Sequence, residues 1–346
     1  MDIKDKLAIL KRNIEEIVPE ESLEKLLKEK KQPVAFIGMA CTGKIHIGYF
    51  IPLIKIKDFL AAGFKFKILL ADLHAHLDDQ KTPFDLLDKR VDYYKSVMEG
   101  MLKAVGADIT NLEFVKGSDF QLKPDYSRDL LRMSALNTLT RTKRAAAGVV
   151  RFGEDPKLSG FIYPIMQALD EEYLEVDCQY GGIDQRKILM FARENLPKLG
   201  YKPRVEIMTP ILPGLTGDKM SASVENSKID INADKKTIQK SLNKAYCPEG
   251  EVEKNGVLAF AKQVIFPLKE DSKQTFTISR PEKWGGNLEF KSYEELETAY
   301  TKKDLHPMDL KAGMVEELNN LIEPVRKHLK GKEKLIEDAF PTPSAQ

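Results

Sequence analysis

Short unbroken apolar runs alternate along this chain with longer stretches in which apolar residues recur every three or four positions. Residues 34–39, with Val34, Ala35, Phe36 and Ile37, form one such run, the signature of a strand buried on both faces. The helical rhythm takes over across 47–62 and stops at Gly63. A second strand is predicted over 64–73, around Ile68, Leu69, Leu70 and Ala71. A long helix follows over 83–105, ended by Gly106, then a strand over 112–115. Further on, the spacing predicts a helical pair over 127–147, helices over 162–177 and 185–196, and a last strand over 207–212. The N-terminal stretch 3–31 reads as two amphipathic helices broken at Pro19. Strands alternating with helices imply right-handed crossovers and a parallel sheet, so an α/β, Rossmann-like domain is expected over residues 1–232. It carries an insert at about 111–160. After residue 227 the pattern becomes helical (235–245, 256–264, 293–301, 307–328), interrupted by a β-rich stretch over 274–291. A mostly helical second domain is therefore expected over 233–346.

Composition narrows this picture. Apolar residues make up 42% of the chain, enough for a substantial core, and the 31% charged residues are well mixed, which argues against disorder. The net charge of +1 excludes a globally basic nucleic-acid binder and leaves room for a local basic face. Cys41, Cys178 and Cys247 are too far apart and odd in number, so they suggest neither a disulfide framework nor a zinc site. No apolar signal run opens the chain and no stretch nears about 20 apolar residues, so a cytoplasmic protein with no membrane contact is expected.

Two distant segments carry candidate chemistry. The strand over 34–39 runs into a small-residue turn, and a helix begins near Ile45. His46, in His46-Ile47-Gly48-Tyr49, then sits at a helix N-terminus, where backbone N–H groups and the dipole favour phosphate. About 170 residues later, after the Gly-rich stretch 213–218, come Lys219, Met220, Ser221, Ala222 and Ser223, one ammonium and two hydroxyls on a loop able to close on a leaving polyphosphate. Taken singly, His46 reads first as a cap or surface residue and Lys219 as a solvated loop residue.

In this order and spacing the pair resembles the two nucleotide-binding motifs of class I aminoacyl-tRNA synthetases. The likeness sharpens at Tyr163-Pro164-Ile165-Met166-Gln167-Ala168-Leu169-Asp170 and at Gly181-Gly182-Ile183-Asp184-Gln185-Arg186-Lys187, which look like the amino-acid pocket and ribose loop of the archaeal and eukaryotic cytoplasmic tyrosyl-tRNA synthetases. It runs from about residue 8 to about residue 340, so no appended RNA-binding module is expected.

The resemblance implies that His46, Lys219, Ser221 and Ser223 stabilise the phosphates of ATP, with Gly38, Thr42, Gly48, Gly182, Asp184 and Met220 completing the nucleotide site and Mg²⁺ arriving with ATP. Asp184 would accept from the ribose; on spacing alone it also fits a helix cap. No metal cage is visible among the residues. Tyr163, Gln167 and Asp170 stand at i, i+4 and i+7 and share one helical face, a polar stripe among apolar neighbours that suggests an inward pocket. The resemblance assigns Tyr163, Gln167 and Gln185 to the substrate ammonium and Asp170 to the phenol of tyrosine. Leu69, Ala71, His74, Phe120 and Gln121 would finish the wall, and His76 receives no role. The family usually places a tyrosine where Phe36 stands, so Asp170 alone is expected to hold the phenol.

Arg144 and Arg186 match positions near the first acceptor-stem base pair of tRNA, and either also fits a surface ion pair. Trp284 and Asp309 match anticodon contacts, a base stack and a guanine acceptor; Asp309 also fits the first turn of a helix behind Pro307. A homodimer through 111–147 is implied as well, since Leu130, Leu131, Met133, Leu136 and Leu139 exceed what one packing face needs. Two other readings remain open. One is a synthetase with altered amino-acid choice, which Phe36 keeps alive. The other is a non-catalytic tRNA-binding paralogue, which the presence of His46, Lys219, Asp184 and Gln185 weakens.

Overall fold

The computed structural model describes residues 1–150, 152–215, 217 and 228–341. The chain enters through α1 (Ile3–Lys11), β1 (Glu16–Val18) and α2 (Ser22–Glu29). The expected break between two helices is itself a strand. Glu16, Ile17 and Val18 pair antiparallel with Met208, Ile207 and Glu206 at the sheet edge, and three residues are too few to display a period of two. Then come β2 (Val34–Ala40), α3 (Phe50–Ala61), β3 (Lys65–Ala71), α4 (Asp72–Leu77), α5 (Leu87–Ala104) and β4 (Leu112–Lys116). The strand expected over 64–73 ends at Ala71; the apolar run continues past it because α4 is buried too, with Ala75 fully enclosed.

The insert supplies α6 (Ser118–Gln121), α7 (Pro124–Leu136), α8 (Leu139–Ala146) and α9 (Ser159–Tyr173). The sheet resumes with β5 (Cys178–Gly182), α10 (Arg186–Asn195) and β6 (Val205–Thr209). β6 lies upstream of the expected 207–212 because Pro210 has no N–H for the ladder. The six strands lie in the order β1-β6-β5-β2-β3-β4, parallel except for β1, with β2 and β5 adjacent at the centre. That centre is where strand order reverses, the place where open parallel sheets bind nucleotides.

Alternate residues of the strands face two apolar layers. Ala35, Ile37, Ile68, Leu70, Tyr180 and Ile207 pack with α3 and α5. Phe36, Leu69 and Ala71 face the other way, under Ile165, Met166, Ala168 and Leu169 of α9. The C-terminal half holds α11 (Lys235–Lys244), α12 (Gly256–Phe260), α13 (Phe266–Ser272), a hairpin of β7 (Phe276–Ile278) and β8 (Leu288–Phe290), α14 (Tyr293–Thr301), α15 (Pro307–Leu329) and α16 (Glu333–Ala339). Its buried residues, such as Leu321, Ile322 and Val325 of α15, join the same apolar cluster as Val97 and Met98 of α5.

A buried ion network ties α1 to α3. Asp58, 2% exposed, takes Arg12 at 2.6 Å and Lys55 at 2.9 Å. Lys55 also donates to the carbonyls of Ile9, Leu10 and Arg12, which satisfies the C-terminal end of α1.

Candidate active site

The turn after β2 is held from behind by α5. The Tyr93 hydroxyl accepts from Ile45 N at 3.1 Å. Tyr94 accepts from Gly43 N at 3.2 Å and donates to Gly43 O at 2.7 Å. Arg90 donates to the carbonyls of Thr42 and Ala339, so the C-terminal end of α16 and the turn share one anchor. These clamps fix residues 42–45, leaving the turn little freedom of its own.

His46 caps the single 3₁₀ turn Ile47–Tyr49 that precedes α3. Its Nδ1 accepts from Gly48 N at 3.2 Å, so in the neutral ring the proton sits on Nε2, a donor with no partner among the described residues. Burial, helped by nearby Lys228, pulls its pKa down to about 4, so the ring is neutral at pH 7. Ile47 N donates to Ile229 O at 2.9 Å, and His46 bridges Asp230. The chain that leaves the lysine segment is thereby joined to the His46 turn. Lys219, Met220, Ser221 and Ser223 themselves lie outside the described residues.

Beside this turn is a narrow cavity of about 30 Å³. Phe36, Gly38 and Ala40 of β2, with Leu69 and Ala71 of β3, form its floor; His74, Tyr163, Gln167, Asp170 and Gln185 supply its polar atoms. Gln167 donates to Gln185 at 2.9 Å. Asp170 is 1% exposed, and burial pushes its pKa up to about 7 even though two donors oppose the shift. Those donors are Gln121 at 2.7 Å and the Tyr126 hydroxyl at 2.9 Å, both on Oδ1. Oδ2 has no partner among the described residues. Gln121, expected in the wall, thus holds the carboxylate from outside the cavity, and Phe120 packs edge-on against Tyr126, 5.8 Å between ring centres. Tyr126 escaped sequence reasoning because nothing in its spacing links α7 to α9. His76 bonds to Thr82 O at 3.0 Å and steadies its own turn.

Asp184 lies where β5 passes into α10, in the 3₁₀ turn Ile183–Gln185. Two glycines make room for it. A Cβ at Gly182 would stand 2.5 Å from Asp184 Oδ1, and one at Gly148 would stand 2.0 Å from the Asp184 carbonyl oxygen. Only glycine fits at 148, a requirement that is tertiary and invisible in the sequence.

Residues 28–323 match the family model of class I tRNA synthetases (W and Y). Tyrosine--tRNA ligase of Haloarcula marismortui is 45% identical over 341 residues, covering 99% of this chain and 98% of that protein. Cytoplasmic tyrosine--tRNA ligase of Gallus gallus is 46% identical over 99% of this chain, which spans 64% of the chicken protein. The tyrosyl-tRNA synthetase of Archaeoglobus fulgidus, solved with L-tyrosine, superposes with a TM-score of 0.89 at 43% identity, over 95% of this chain and all of that one. The chain belongs to the class I tyrosyl-tRNA synthetases.

In this synthetase Arg144 and Arg186 line one open cleft with Arg141 and Lys187, between α8 and α10. Arg186 makes a two-pronged ion pair with Glu16 of β1, at 2.6 and 2.8 Å, so the surface-pair alternative is the arrangement present. Trp284 is 66% exposed on the turn between β7 and β8. Arg280 donates to Gly286 O of that turn at 3.0 Å and reaches Asp309 at 3.5 Å. It brings the two residues matched to the anticodon onto one patch, a link that spacing did not reveal. Asp309 also stands in the first turn of α15, behind Pro307.

Proposed function

We propose that the chain activates L-tyrosine with ATP, releasing pyrophosphate, and then transfers the tyrosyl group to the terminal adenosine of tRNA(Tyr). One observation carries the reading. The cavity has a buried carboxylate with one open oxygen at one end, Asp170, and Gln167 and Gln185 on its wall, beside the clamped turn of His46. The amino-acid carboxylate attacks the α-phosphorus in line and pyrophosphate leaves, so the protein's task is positioning and stabilising phosphate charge. A neutral His46 does this by donating from Nε2 to a phosphate oxygen. Lys219, Ser221 and Ser223 add one charge and two hydroxyl donors on pyrophosphate. Gly38, Thr42, Gly48, Gly182, Asp184 and Met220 complete the ATP site. Tyr163, Gln167 and Gln185 receive the tyrosine ammonium, and Asp170 its phenol. Mg²⁺ enters on the phosphates of ATP, which it binds in preference to a dedicated cage of side chains.

The basic cleft of Arg144 and Arg186 receives the acceptor end of tRNA, and Trp284 with Asp309 receives its anticodon. Division into a catalytic unit over 1–232 and an anticodon-binding unit over 233–346 follows from that separation of roles. Leu131, Leu136 and Leu139 are 72, 48 and 65% exposed around α7 and α8, with Leu122 at 67% beside them, an apolar surface that supports a homodimer, whereas Met133 is fully buried and Leu130 packs against the core. Placement in the cytoplasm follows the cytoplasmic relatives; no described helix is long and apolar enough to cross a membrane.

A pyrophosphate-exchange panel across amino acids tests the whole reading. Exchange with L-tyrosine and ATP is expected. A specific observation favours one alternative: Phe36 puts an apolar ring in the tyrosine cavity. If phenylalanine or a substituted tyrosine outruns tyrosine in the panel, the altered-choice reading replaces the first. If no amino acid supports exchange, the chain is a non-catalytic paralogue.

A further inference from the structure

We propose that His74 supplies the second hydrogen bond to the substrate phenol, donating from Nε2 while the phenol O–H donates to Asp170. The inference rests on the tyrosine reading of the cavity. His74 is 2% exposed, and neither ring nitrogen makes a hydrogen bond of ordinary geometry among the described residues, although the Tyr163 backbone lies near enough to the ring to oppose the fall in its pKa. Asp170 Oδ2 is partnerless too, and it stands 3.8 Å from His74 Nε2. That gap is too long for a direct hydrogen bond. An oxygen seated at its edge reaches both atoms at about 2.8 Å, an ordinary bond length.

The two atoms are also well fixed. Gln121 and Tyr126 hold the other carboxylate oxygen, which sets where Oδ2 points. Tyr163 meets the His74 ring edge-on at 4.6 Å and 87°. Burial lowers the His74 pKa to about 4 against the opposing effect of the Tyr163 backbone, so at pH 7 the neutral ring carries one N–H, which the proposal places on Nε2. A charged ring would instead close directly on Asp170. Phe36, 1% exposed in the same lining, offers no hydrogen bond. The phenol therefore donates once and accepts once, and phenylalanine leaves two buried polar atoms unpaired. Discrimination arises from that loss.

The test compares tyrosine- and phenylalanine-dependent pyrophosphate exchange in the unmutated protein, in His74→Leu and in His74→Asn. His74→Leu is expected to lower the tyrosine-to-phenylalanine ratio of kcat/KM by about 3- to 10-fold, the size of one neutral hydrogen bond. His74→Asn keeps an N–H donor and is expected to recover part of the ratio. A ratio that stays within twofold in His74→Leu, or tyrosine and phenylalanine activities that fall together, overturns the proposal. A second measurement needs no variant. In protein with ¹⁵N-labelled histidine, tyrosine is expected to bring out a slowly exchanging imidazole N–H proton at His74 that phenylalanine does not. Absence of that signal with tyrosine bound overturns the proposal as well. No tyrosine-dependent exchange by the unmutated protein overturns the reading of the cavity itself, and this inference with it.

Discussion

Glu206→Gln is expected to stabilise the protein at alkaline pH and to do much less at acid pH. Strand register sets up the reason. Val18, Glu206, Gln179 and Phe36 are cross-strand partners along one row of the sheet, so their side chains share the face beneath α9. Glu171, the residue after Asp170 on α9, is fully buried like Glu206, and none of their four carboxylate oxygens has a partner among the described residues. Arg193 and Arg204 are near and oppose the rise, but neither bonds a carboxylate oxygen of the pair: Arg193 donates to the carbonyls of Val18 and Arg204, and Arg204 to Lys202 O and Glu172, its Nε left without a partner among the described residues. Burial pushes the Glu171 pKa up to about 8. Glu206 is raised well above the usual range, first by burial and then by Glu171.

Unfolded, both carboxyls ionise near about pH 4.3. Folded, they keep their protons to far higher pH. Between those limits unfolding releases protons, so stability is fully present below about pH 4 and declines as pH rises toward 8. The decline is at most about 1.4 kcal/mol per pH unit for each group. Glutamine keeps the volume and removes one titration. As pH rises from about 5.5 to about 8 the advantage of the variant over the parent is therefore expected to grow, by at most about 1.4 kcal/mol per pH unit, with parity reached only below about pH 4. Urea unfolding of both proteins at pH 5.5, 7 and 8 measures it. A gain that is constant with pH, or larger at pH 5.5, refutes the reasoning, because Glu206 would then be ionised and paired in the folded protein.

Other outcomes follow from the same structure. His46→Ala is expected to slow adenylate formation about 10²- to 10³-fold, the scale of losing one aimed donor, with little change in tyrosine affinity; single-turnover kinetics separates the two. Asp58→Ala leaves Lys55 buried without its carboxylate and is expected to cost about 3–5 kcal/mol in urea unfolding; a loss below about 1 kcal/mol would mean that the carbonyls of α1 hold Lys55 unaided. Trp284→Ala is expected to lose a base stack worth about 1–3 kcal/mol, slowing tRNA aminoacylation while pyrophosphate exchange persists. Asp309→Ala is expected to do the same and to relax preference at one base; equal drops in both assays would assign these residues to the fold instead. Light scattering is expected to give twice the 39.2 kDa chain mass at micromolar concentration, and a stable monomer would count against the apolar face of α7 and α8 as a dimer surface.

The parts of this fold that show in the sequence are those whose cause is local. β2 and the His46 turn are legible because an unbroken apolar run, small residues and a helix start follow in order. The face of Tyr163, Gln167 and Asp170 is legible because helical spacing alone puts them together. β1 is not, being three residues long and specified by its partner β6. Nor is β5, where a polar Gln179 interrupts the apolar run in a strand that is 1% exposed at that point. The grip of Gln121 and Tyr126 on Asp170, and the contact of Gly148 with Asp184, join segments that only tertiary packing brings close. At Asp170-Glu171-Glu172 the inward face of Asp170 shows in the helical spacing, but the burial of Glu171 against the sheet does not. Burying a carboxyl costs stability unless donors or a retained proton compensate it. Among the described residues Asp170 has donors on one oxygen and none on the other, whereas Glu171 has only its proton. The local rule breaks where α9 serves both the substrate and the sheet, and at Asp170 the uncompensated oxygen is the one the proposed reaction uses.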